Sequence, residues 1–242
     1  MGREQFRSRR DVLRHVANSE RSGAHGVAVD GMEYPEPFVF VVDDDDSVRK
    51  ALARLIRSAG YRVEAFASAS EFLARADAPA CPSCLILDIQ MPDISGLQLQ
   101  HQLGDAMPVI FITGHGDIAM TVHAMKAGAC DFLAKPVRDS DLLGAVEAAL
   151  RRARTRYACS RERDTLRDRF ARLTPREREV LELVATGHLN KQIASELGTV
   201  EQTIKAHRAR VMTKMEVTSL AQLVRSMDRM QTLSADDQRQ YG

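Results

Sequence analysis

Short apolar segments alternate with amphipathic segments through residues 38–150, and this alternation is the strongest pattern in the sequence. The apolar segments are rich in β-branched residues and are typical of buried parallel strands. The predicted strands are Phe38–Val42, Tyr61–Phe66, Cys84–Leu87, Pro108–Ile112 and Asp131–Ala134. Strands that alternate with helices at this spacing predict an α/β fold, a doubly wound parallel sheet of five strands with helices on both faces.

Apolar residues recur at helical spacing between these strands, and only helical patterns follow the last strand. In the first part the predicted helices are Asp46–Gly60, a helix capped by Ser68, Ser95–Leu103, Asp117–Ala127 and a long helix that begins at Asp139. In the second part they are Pro175–Ala185, Asn190–Leu197, Glu201–Met215 and Ser219–Met230. We therefore expect an α/β domain at residues 38–150 and a small all-α domain at residues 173–232.

Three further segments flank or join these domains. Residues 1–37 mix arginine, glycine and proline and predict a flexible leader, with a short helix near Asp11–Ala17 and an alternative translation start at Met32. Residues 151–172 contain nine arginines against three acidic residues and predict a basic linker that continues the preceding helix. Residues 233–242 form a polar tail that we expect to be frayed.

Formal charge divides the chain in the same way, although the net charge of the whole chain is only +1. Residues 38–150 carry nine Lys and Arg against fifteen Asp and Glu, whereas residues 151–242 carry nineteen against twelve. The basic C-terminal third indicates binding of a polyanion. No run approaches the ~18 apolar residues that a membrane helix needs, and the first 15 residues lack the apolar core of a signal peptide. We therefore expect a cytoplasmic protein without a membrane partner.

The four cysteines, Cys81, Cys84, Cys130 and Cys159, are too few for a disulfide framework in a chain of this length. Cys81 and Cys84 form a CxxC pair, but the pair precedes a predicted strand instead of opening a helix. A zinc site would need about four ligands, and the sequence has no second pair. We therefore expect neither a redox nor a metal-binding role for these cysteines.

Polar residues follow four of the predicted strands, at the end where such sheets bind their ligands. Asp43 and Asp44 follow the first strand, Asp88 the third, Thr113 the fourth and Lys135 the fifth. Three converging carboxylates would repel one another unless a hard divalent cation lay among them, and all-oxygen ligation suits Mg²⁺. A lysine beside the cation suits a phosphoryl oxygen. The set therefore predicts phosphoryl transfer onto a carboxylate nucleophile.

Four sequence segments carry a specific resemblance to a known family. They are VVDD at 41–44, LDIQMPDISG at 87–96, FITGHG at 111–116 and FLAKP at 132–136. Together they resemble the receiver domain of two-component response regulators, which has the CheY-like fold. The resemblance implies a flavodoxin-like sheet whose strand ends form a phosphorylation site that requires Mg²⁺.

The resemblance also implies a role for each matching residue. Asp88 would be the phosphoacceptor, Thr113 would hydrogen-bond the phosphoryl group, and Lys135 would pair with it. The implied Mg²⁺ ligands are Asp43, Asp44, Asp88 and the backbone carbonyl of Gln90. Phe132 matches the aromatic residue that changes rotamer with Thr113 on phosphorylation, and it is Phe where many receivers have Tyr.

The C-terminal helical patterns are those of a helix-turn-helix. Thr174 and Glu177 predict a capping box at the start of the first helix. Ala194 would let two helices cross closely, and Gly198 permits the turn before Glu201–Met215.

The second helix of this motif has two distinct faces. Val200, Ile204 and Val211 are expected to point into the core. The residues expected to point outward are Gln202, Ala206, Ala209 and Thr213, flanked by Lys205 and Arg210. Small residues at the centre of a face with cations at its rim suit the major groove of DNA.

LTPREREVL at 173–181, NKQIA at 190–194 and TIKAHR at 203–208 resemble the LuxR-type helix-turn-helix domain. With the receiver ahead of it, the chain outside the leader resembles response regulators of the FixJ/NarL class. The implied DNA contacts are Lys191, Gln202, Thr203, Lys205, Ala206, His207, Ala209 and Arg210. One departure concerns the start of the recognition helix, where the family usually has an apolar residue followed by Ser. Here Thr199 and Val200 stand instead, so the N-cap hydroxyl is missing unless Thr199 caps one position earlier.

The resemblance implies a transcription regulator that is not a turnover enzyme. A sensor histidine kinase would phosphorylate Asp88, the face formed by residues 117–150 would dimerise, and the dimer would bind double-stranded promoter DNA and, with RNA polymerase, activate transcription. An aspartate-nucleophile phosphatase would need a second acid where Gln90 stands. A phosphate-independent regulator would not need the intact acid pair with Thr113 and Lys135. An RNA-binding protein would need stacking aromatics, which the sequence does not offer.

Overall fold

The computed structural model describes residues 27–29, 32–75, 81–114 and 118–239. The chain divides into two compact units, one that ends at Tyr157 and one that begins at Ala158. Each unit has its own apolar core. In the described ranges, no helix is long and apolar enough to cross a membrane.

The first unit is built on a five-stranded parallel sheet. Its strands are β3 (Phe38–Val42), β4 (Arg62–Phe66), β5 (Ser83–Asp88), β6 (Val109–Thr113) and β7 (Asp131–Ala134), in the spatial order β4-β3-β5-β6-β7. Two shorter strands, β1 (Val27–Val29) and β2 (Met32–Tyr34), form a separate antiparallel pair. The predicted α/β fold class is therefore confirmed.

Helices cover both faces of this sheet. They are α1 (Asp46–Ser58), α2 (Ala69–Arg75), α3 (Gly96–Leu103), α4 (Ile118–Lys126) and α5 (Asp139–Ala171), with a single 3₁₀ turn at Gly104–Ala106. Alternate residues of a strand point to opposite faces. On β3, Val39 and Val41 pack with α1 and α5, whereas Phe40 and Val42 pack with α2 and α3. The sheet is therefore buried on both sides, which explains the continuous apolar character of its central strands.

The second unit is helical. After the end of α5 it contains α6 (Pro175–Ala185), α7 (Asn190–Glu196), α8 (Glu201–Met215) and α9 (Leu220–Arg239). Its buried residues come from every helix of this unit and include Val180, Ile193, Ala194, Ile204 and Leu223. The burial of Ala194 agrees with the expected close crossing of α7 and α8.

The last turns of α5 belong to the second unit, although the sequence suggested a linker over residues 151–172. Phe170 packs against the helical core, and the guanidinium of Arg178 lies 5.1 Å from the centre of its ring. Arg169 forms an ion pair of 2.6 Å with Glu216 at the end of α8. This segment is helical throughout, as predicted, and its C-terminal part supports the helix-turn-helix.

The other differences from the predicted elements lie near the chain ends. The predicted flexible leader contains the β1–β2 pair, and the helix predicted near Asp11–Ala17 lies outside the described residues. The last helix does not end at Met230 but continues to Arg239, into the segment expected to be frayed.

Candidate functional site

Acidic side chains converge at the carboxyl ends of two adjacent strands. Val42 lies opposite Leu87 in the β3–β5 register, so Asp43 and Asp88, one position further along each strand, become neighbours. Carboxylate oxygens of Asp43, Asp44 and Asp88 all lie within 4.8 Å of one another. Asp43 is 1% exposed and Asp88 is 6% exposed, whereas Asp44 faces solvent. Sheet topology thus assembles the acidic cluster that the sequence predicted.

Lys135 bridges the two buried carboxylates. Its Nζ donates to Asp43 Oδ2 at 2.8 Å and to Asp88 Oδ2 at 2.6 Å. Its backbone N–H donates to the carbonyl of Thr113 at 2.8 Å, which fixes the end of β7 against β6. The peptide bond between Lys135 and Pro136 is cis. A cation, two buried acids and a buried hydroxyl therefore meet at one sheet edge, as predicted.

The charged groups of this cluster shift one another's protonation. Burial raises the pKa of the Asp43 carboxyl, against the opposing effects of the Lys135 ammonium and the Asp45 backbone N–H. Burial opposes the charge of Lys135, but its hydrogen bonds to Asp43 and Asp88 outweigh it and raise the pKa of Lys135. The ammonium is thus fully charged at neutral pH. Three carboxylates with so little separation also have the oxygen-only chemistry that Mg²⁺ prefers, so the donor set fits that ion.

Backbone contacts hold Asp88 in place. The backbone N–H of Gln90 donates to Asp88 Oδ1 at 3.0 Å, while the carbonyl of Gln90 as a metal ligand stays a prediction. A Cβ atom on Gly96 would overlap the backbone oxygen of Asp88 and lie 3.0 Å from Ile89 Cα. Glycine at position 96 is therefore required for α3 to begin this close to the acidic cluster, a role that the sequence analysis did not assign.

Arg49 is a second cation at this edge, which the sequence analysis missed. Its Nη1 donates to the carbonyl of Asp43 at 2.8 Å and to that of Asp44 at 3.2 Å, and its Nη2 pairs with Asp46 at 2.8 Å. Asp45 caps α1 through its Oδ1, which accepts the backbone N–H groups of Ser47 and Val48. The available signal was an arginine on the first turns of the helix that follows the acids.

Thr113 and Phe132 lie on the same face of the sheet. Thr113 ends β6 and is fully buried, and it lies opposite Ala134 in the β6–β7 register. Phe132 precedes Ala134 by two positions, so its ring points to the same side and packs against the cluster that contains Phe111. The register therefore places the two predicted switch residues on adjacent strands and on the same face of the sheet.

The helix predicted to contact DNA has the expected exposed face. Gln202, Lys205, Ala206, Ala209, Arg210 and Thr213 are exposed, and Thr203 and His207 are half-buried. Ile204 and Val211 are buried in the core. Lys205 pairs with Glu201 at 3.2 Å on the surface, and Lys191 is exposed on α7.

The prediction for Val200 was wrong. Its side chain is 65% exposed instead of lying in the core with Ile204. Val200 has extended backbone angles (φ −100°, ψ 151°) because it is the N-cap residue, so the helical spacing that placed it inward does not apply. The helix begins at Glu201, Thr199 does not occupy the cap position, and no side chain caps the helix.

Polar contacts fix α8 on its supporting helices. Lys214 donates to Glu177 Oε2 at 2.6 Å, and Glu177 is itself only 2% exposed and completes the predicted capping box with Thr174. Arg208 donates to Asn190 Oδ1 on α7 at 2.6 Å. These contacts hold the helix in one orientation and leave its outward face free to meet a ligand.

All four cysteines are free thiols in the described ranges. Burial raises the pKa of the Cys81 thiol to about 11 and raises that of the fully buried Cys84 further. Since the thiolate is the reactive form, these raised pKa values disfavour reaction of either sulfur at neutral pH.

Family comparisons agree with both halves of this geometry. A profile of the response regulator receiver domain matches residues 39–147, and a profile of bacterial regulatory proteins of the luxR family matches residues 171–227. The chain therefore belongs to the response regulators that join a receiver domain to a LuxR-type DNA-binding domain. It is a phosphorylation-dependent regulator of transcription.

Individual relatives align with most of the chain. Nodulation protein W of Bradyrhizobium diazoefficiens is 52% identical over 190 residues, which cover 77% of this chain and 83% of that protein. Transcriptional regulatory protein FixJ of Azorhizobium caulinodans is 44% identical over 202 residues, covering 82% and 95%. Among solved structures, the response regulator StyR matches with a TM-score of 0.72 and 49% identity, over 80% of this chain and 99% of that one.

Proposed function

We propose that Asp88 is the phosphoacceptor of this regulator. In the transfer, the bond between phosphorus and the leaving group of the donor breaks, and a carboxylate oxygen of Asp88 forms the new bond to phosphorus. With a sensor histidine kinase as donor, the leaving group is the imidazole nitrogen of its phosphohistidine. The observation that carries this proposal is the buried Asp88 carboxylate, held between the Lys135 ammonium and the Gln90 backbone N–H at a strand end.

Asp43, Asp44, Asp88 and the Gln90 carbonyl would hold Mg²⁺, whose chemistry is to neutralise negative charge on the phosphoryl oxygens. Lys135 pairs with an oxygen of the phosphoryl group once Asp88 is modified, and the Thr113 hydroxyl donates to another. Phe132 then moves in step with Thr113. Since both residues lie on the face of the sheet that carries α4, phosphorylation reshapes that face.

The helix–strand–helix surface formed by residues 117–150, which includes α4, is the proposed dimer interface. Val122 and Met125 on α4 support this assignment, because both are large apolar side chains that are nearly half exposed. Dimerisation would pair two helix-turn-helix units on a two-fold related promoter site. The proposed role includes contact with RNA polymerase, activation of transcription and a cytoplasmic location, with no turnover of an external substrate.

The proposed DNA contacts come from α8 and the start of α7. Gln202, Thr203, Lys205 and Ala206 would face base edges, with Ala209 beside them. Lys191, His207 and Arg210 would meet the phosphate backbone.

Labelling by a small phosphodonor tests the assignment of Asp88. Wild-type protein with Mg²⁺ should acquire an acid-stable, hydroxylamine-labile phosphoryl group, and EDTA should prevent it. Asp88→Asn should abolish labelling, whereas Asp93→Asn, which removes an exposed acid of the same loop, should not. Full labelling of Asp88→Asn would place the phosphoacceptor elsewhere.

DNA binding tests the coupling between the two units. Phosphorylation should raise operator affinity about tenfold, which requires only about 1.4 kcal/mol of coupling. Titrations of operator duplex with phosphorylated and unphosphorylated protein measure this ratio. The operator affinity of Asp88→Asn should not change when phosphodonor and Mg²⁺ are added. Equal affinity and equal oligomeric state in both forms would favour a regulator that acts without phosphate.

A further inference from the structure

Val200 is an exposed apolar residue at the start of the recognition helix. Its side chain is 65% exposed, and it occupies the N-cap position of α8. The next exposed residues, Glu201, Gln202 and Lys205, are polar or charged, and the exposed apolar residues further along the helix are the small Ala206 and Ala209. Val200 is therefore a large exposed apolar side chain at the N-terminal end of α8, the end that would lie deepest in the groove.

The N-terminal residues of a recognition helix are those that contact base edges. The major groove presents donors, acceptors and a single type of apolar group, the C5-methyl of thymine. An exposed valine in this position finds no partner among the donors and acceptors, because its side chain has no polar atom. The complementary chemistry is the thymine methyl.

The side chain of Val200 does not cap α8. Serine or threonine at an N-cap accepts a backbone N–H of the helix through its hydroxyl. In α8 no side chain makes this bond, and only the carbonyl of Val200 participates, accepting the N–H groups of Thr203 and Ile204. A side chain that makes no capping bond and is not buried in the core is available for DNA.

We propose that Val200 is a specificity-determining residue that packs against the C5-methyl group of a thymine in the operator. The inference rests on the proposed insertion of α8 into the major groove. It adds a base preference that polar contacts from Gln202 and Lys205 do not supply.

Deoxyuridine scanning tests the proposal, since deoxyuridine differs from thymidine only by lacking this methyl group. The probe is the duplex that the full-length wild-type protein selects from random sequence. Each thymine is replaced singly, and the affinity of each duplex is measured. Wild-type protein should lose about fourfold at the contacted thymine, the value expected for one buried methyl group. Val200→Ala should show no loss at that thymine and unchanged losses elsewhere.

Leu189 provides a matched control. It occupies the N-cap position of α7, is 68% exposed and also makes no side-chain capping bond. Leu189→Ala removes a similar exposed apolar side chain from the same domain and should leave the deoxyuridine profile unchanged. Val200→Ser should lose the thymine preference and, by restoring the cap, raise the Tm of the protein.

Three results would overturn the proposal. In the first, wild-type protein tolerates deoxyuridine at every position. In the second, Val200→Ala keeps the full deoxyuridine penalty. In the third, Val200→Ala weakens all duplexes equally, which would make Val200 a residue that positions α8 without reading a base. Failure of the selection to yield any preferred duplex would instead contradict the proposed DNA contacts of α8, so the two failures are distinguishable.

Discussion

The proposed phosphorylation site and the proposed recognition helix, α8, differ in how exposed their charged groups are. At the strand ends, Lys135 makes two ion pairs with carboxylates that are almost completely buried. On α8, the ion pair of Lys205 and Glu201 is 3.2 Å long and joins side chains that are about half exposed, 56% and 47%. Charges in the first site interact strongly because water is excluded, whereas those on the helix are screened by solvent and salt.

This difference matches the two tasks. Phosphoryl transfer needs groups that are oriented before the reaction, because reorientation during the reaction would add to the barrier. DNA binding gains its free energy when cations displace counterions from phosphates, which requires side chains that can leave their solvent partners. We therefore expect the receiver site to be sensitive to packing and α8 to be sensitive to surface charge.

Gly96→Ala should have the largest effect, because it introduces an atom into the packed site. The added Cβ would overlap the backbone oxygen of Asp88, which cannot move without disturbing the acidic cluster. Overpacking of this kind costs about 1–3 kcal/mol, and phosphodonor labelling of Asp88 should fall with it. Thermal unfolding and labelling measure both effects.

Gly144→Ala is the control for the same change. Gly144 lies within α5, and a Cβ there meets open space. Alanine is the better helix former, so this variant should be more stable by about 0.5–1 kcal/mol and fully labelled. If Gly96→Ala were as stable and as reactive as Gly144→Ala, the site would not depend on close packing.

Glu177→Gln tests the ion pair between the buried Glu177 and the partly exposed Lys214 of α8. Loss of the contact with Lys214 should lower the free energy of unfolding of the DNA-binding unit by about 1–3 kcal/mol at neutral pH. Glu179→Gln removes an exposed partner of Arg176 and should change it by less than about 0.5 kcal/mol. Denaturant titrations of the two variants measure the contrast.

The effect of Glu177 should also depend on pH. The hydrogen bond from Lys214, followed by that from the Thr174 backbone N–H, lowers the pKa of the Glu177 carboxyl in the folded protein. Its stabilisation is therefore complete above the unfolded pKa of about 4.3 and is lost as the pH falls through the lower folded value. Equal acid sensitivity of wild type and Glu177→Gln would contradict this assignment.

Sequence alone predicted that the acidic residues and Lys135 would lie together, because topology leaves few choices. Parallel strands end at one edge, so Asp43, Asp88 and Lys135 had to converge once the strands were located. Contacts made by long side chains could not be predicted in this way. The bond from Arg49 to the carbonyls that precede α1 depends on the rotamer of a long side chain, which no periodicity encodes.

The errors in the helical unit have a similar origin. Helical spacing assigned Val200 to the core, but this spacing predicts side-chain direction only inside a helix. Val200 lies one residue before the helix begins, so the prediction failed. The support given by the end of α5 was also missed, because arginine-rich composition describes the solvent side of residues 151–172 and not the face that packs through Phe170. Where a boundary or a long-range contact decides the outcome, local pattern is insufficient.

Substitution of the exposed polar residues of α8 should affect DNA binding rather than protein stability, and its salt dependence separates two kinds of contact. Arg210→Ala should weaken operator and random duplex alike and reduce the slope of log affinity against log salt by about one, because it removes a single phosphate contact. Lys205→Ala and Gln202→Ala should act mainly on the operator, at a cost of about 1–3 kcal/mol. The cost of Lys205→Ala should be about 1 kcal/mol, because Lys205 must break its ion pair with Glu201 before it can contact DNA. Binding to both duplexes across a salt series measures these differences. If all three substitutions scaled together on the two DNAs, or left binding unchanged, α8 would not be the helix that reads the sequence, and its solvent-screened charges would serve solubility instead.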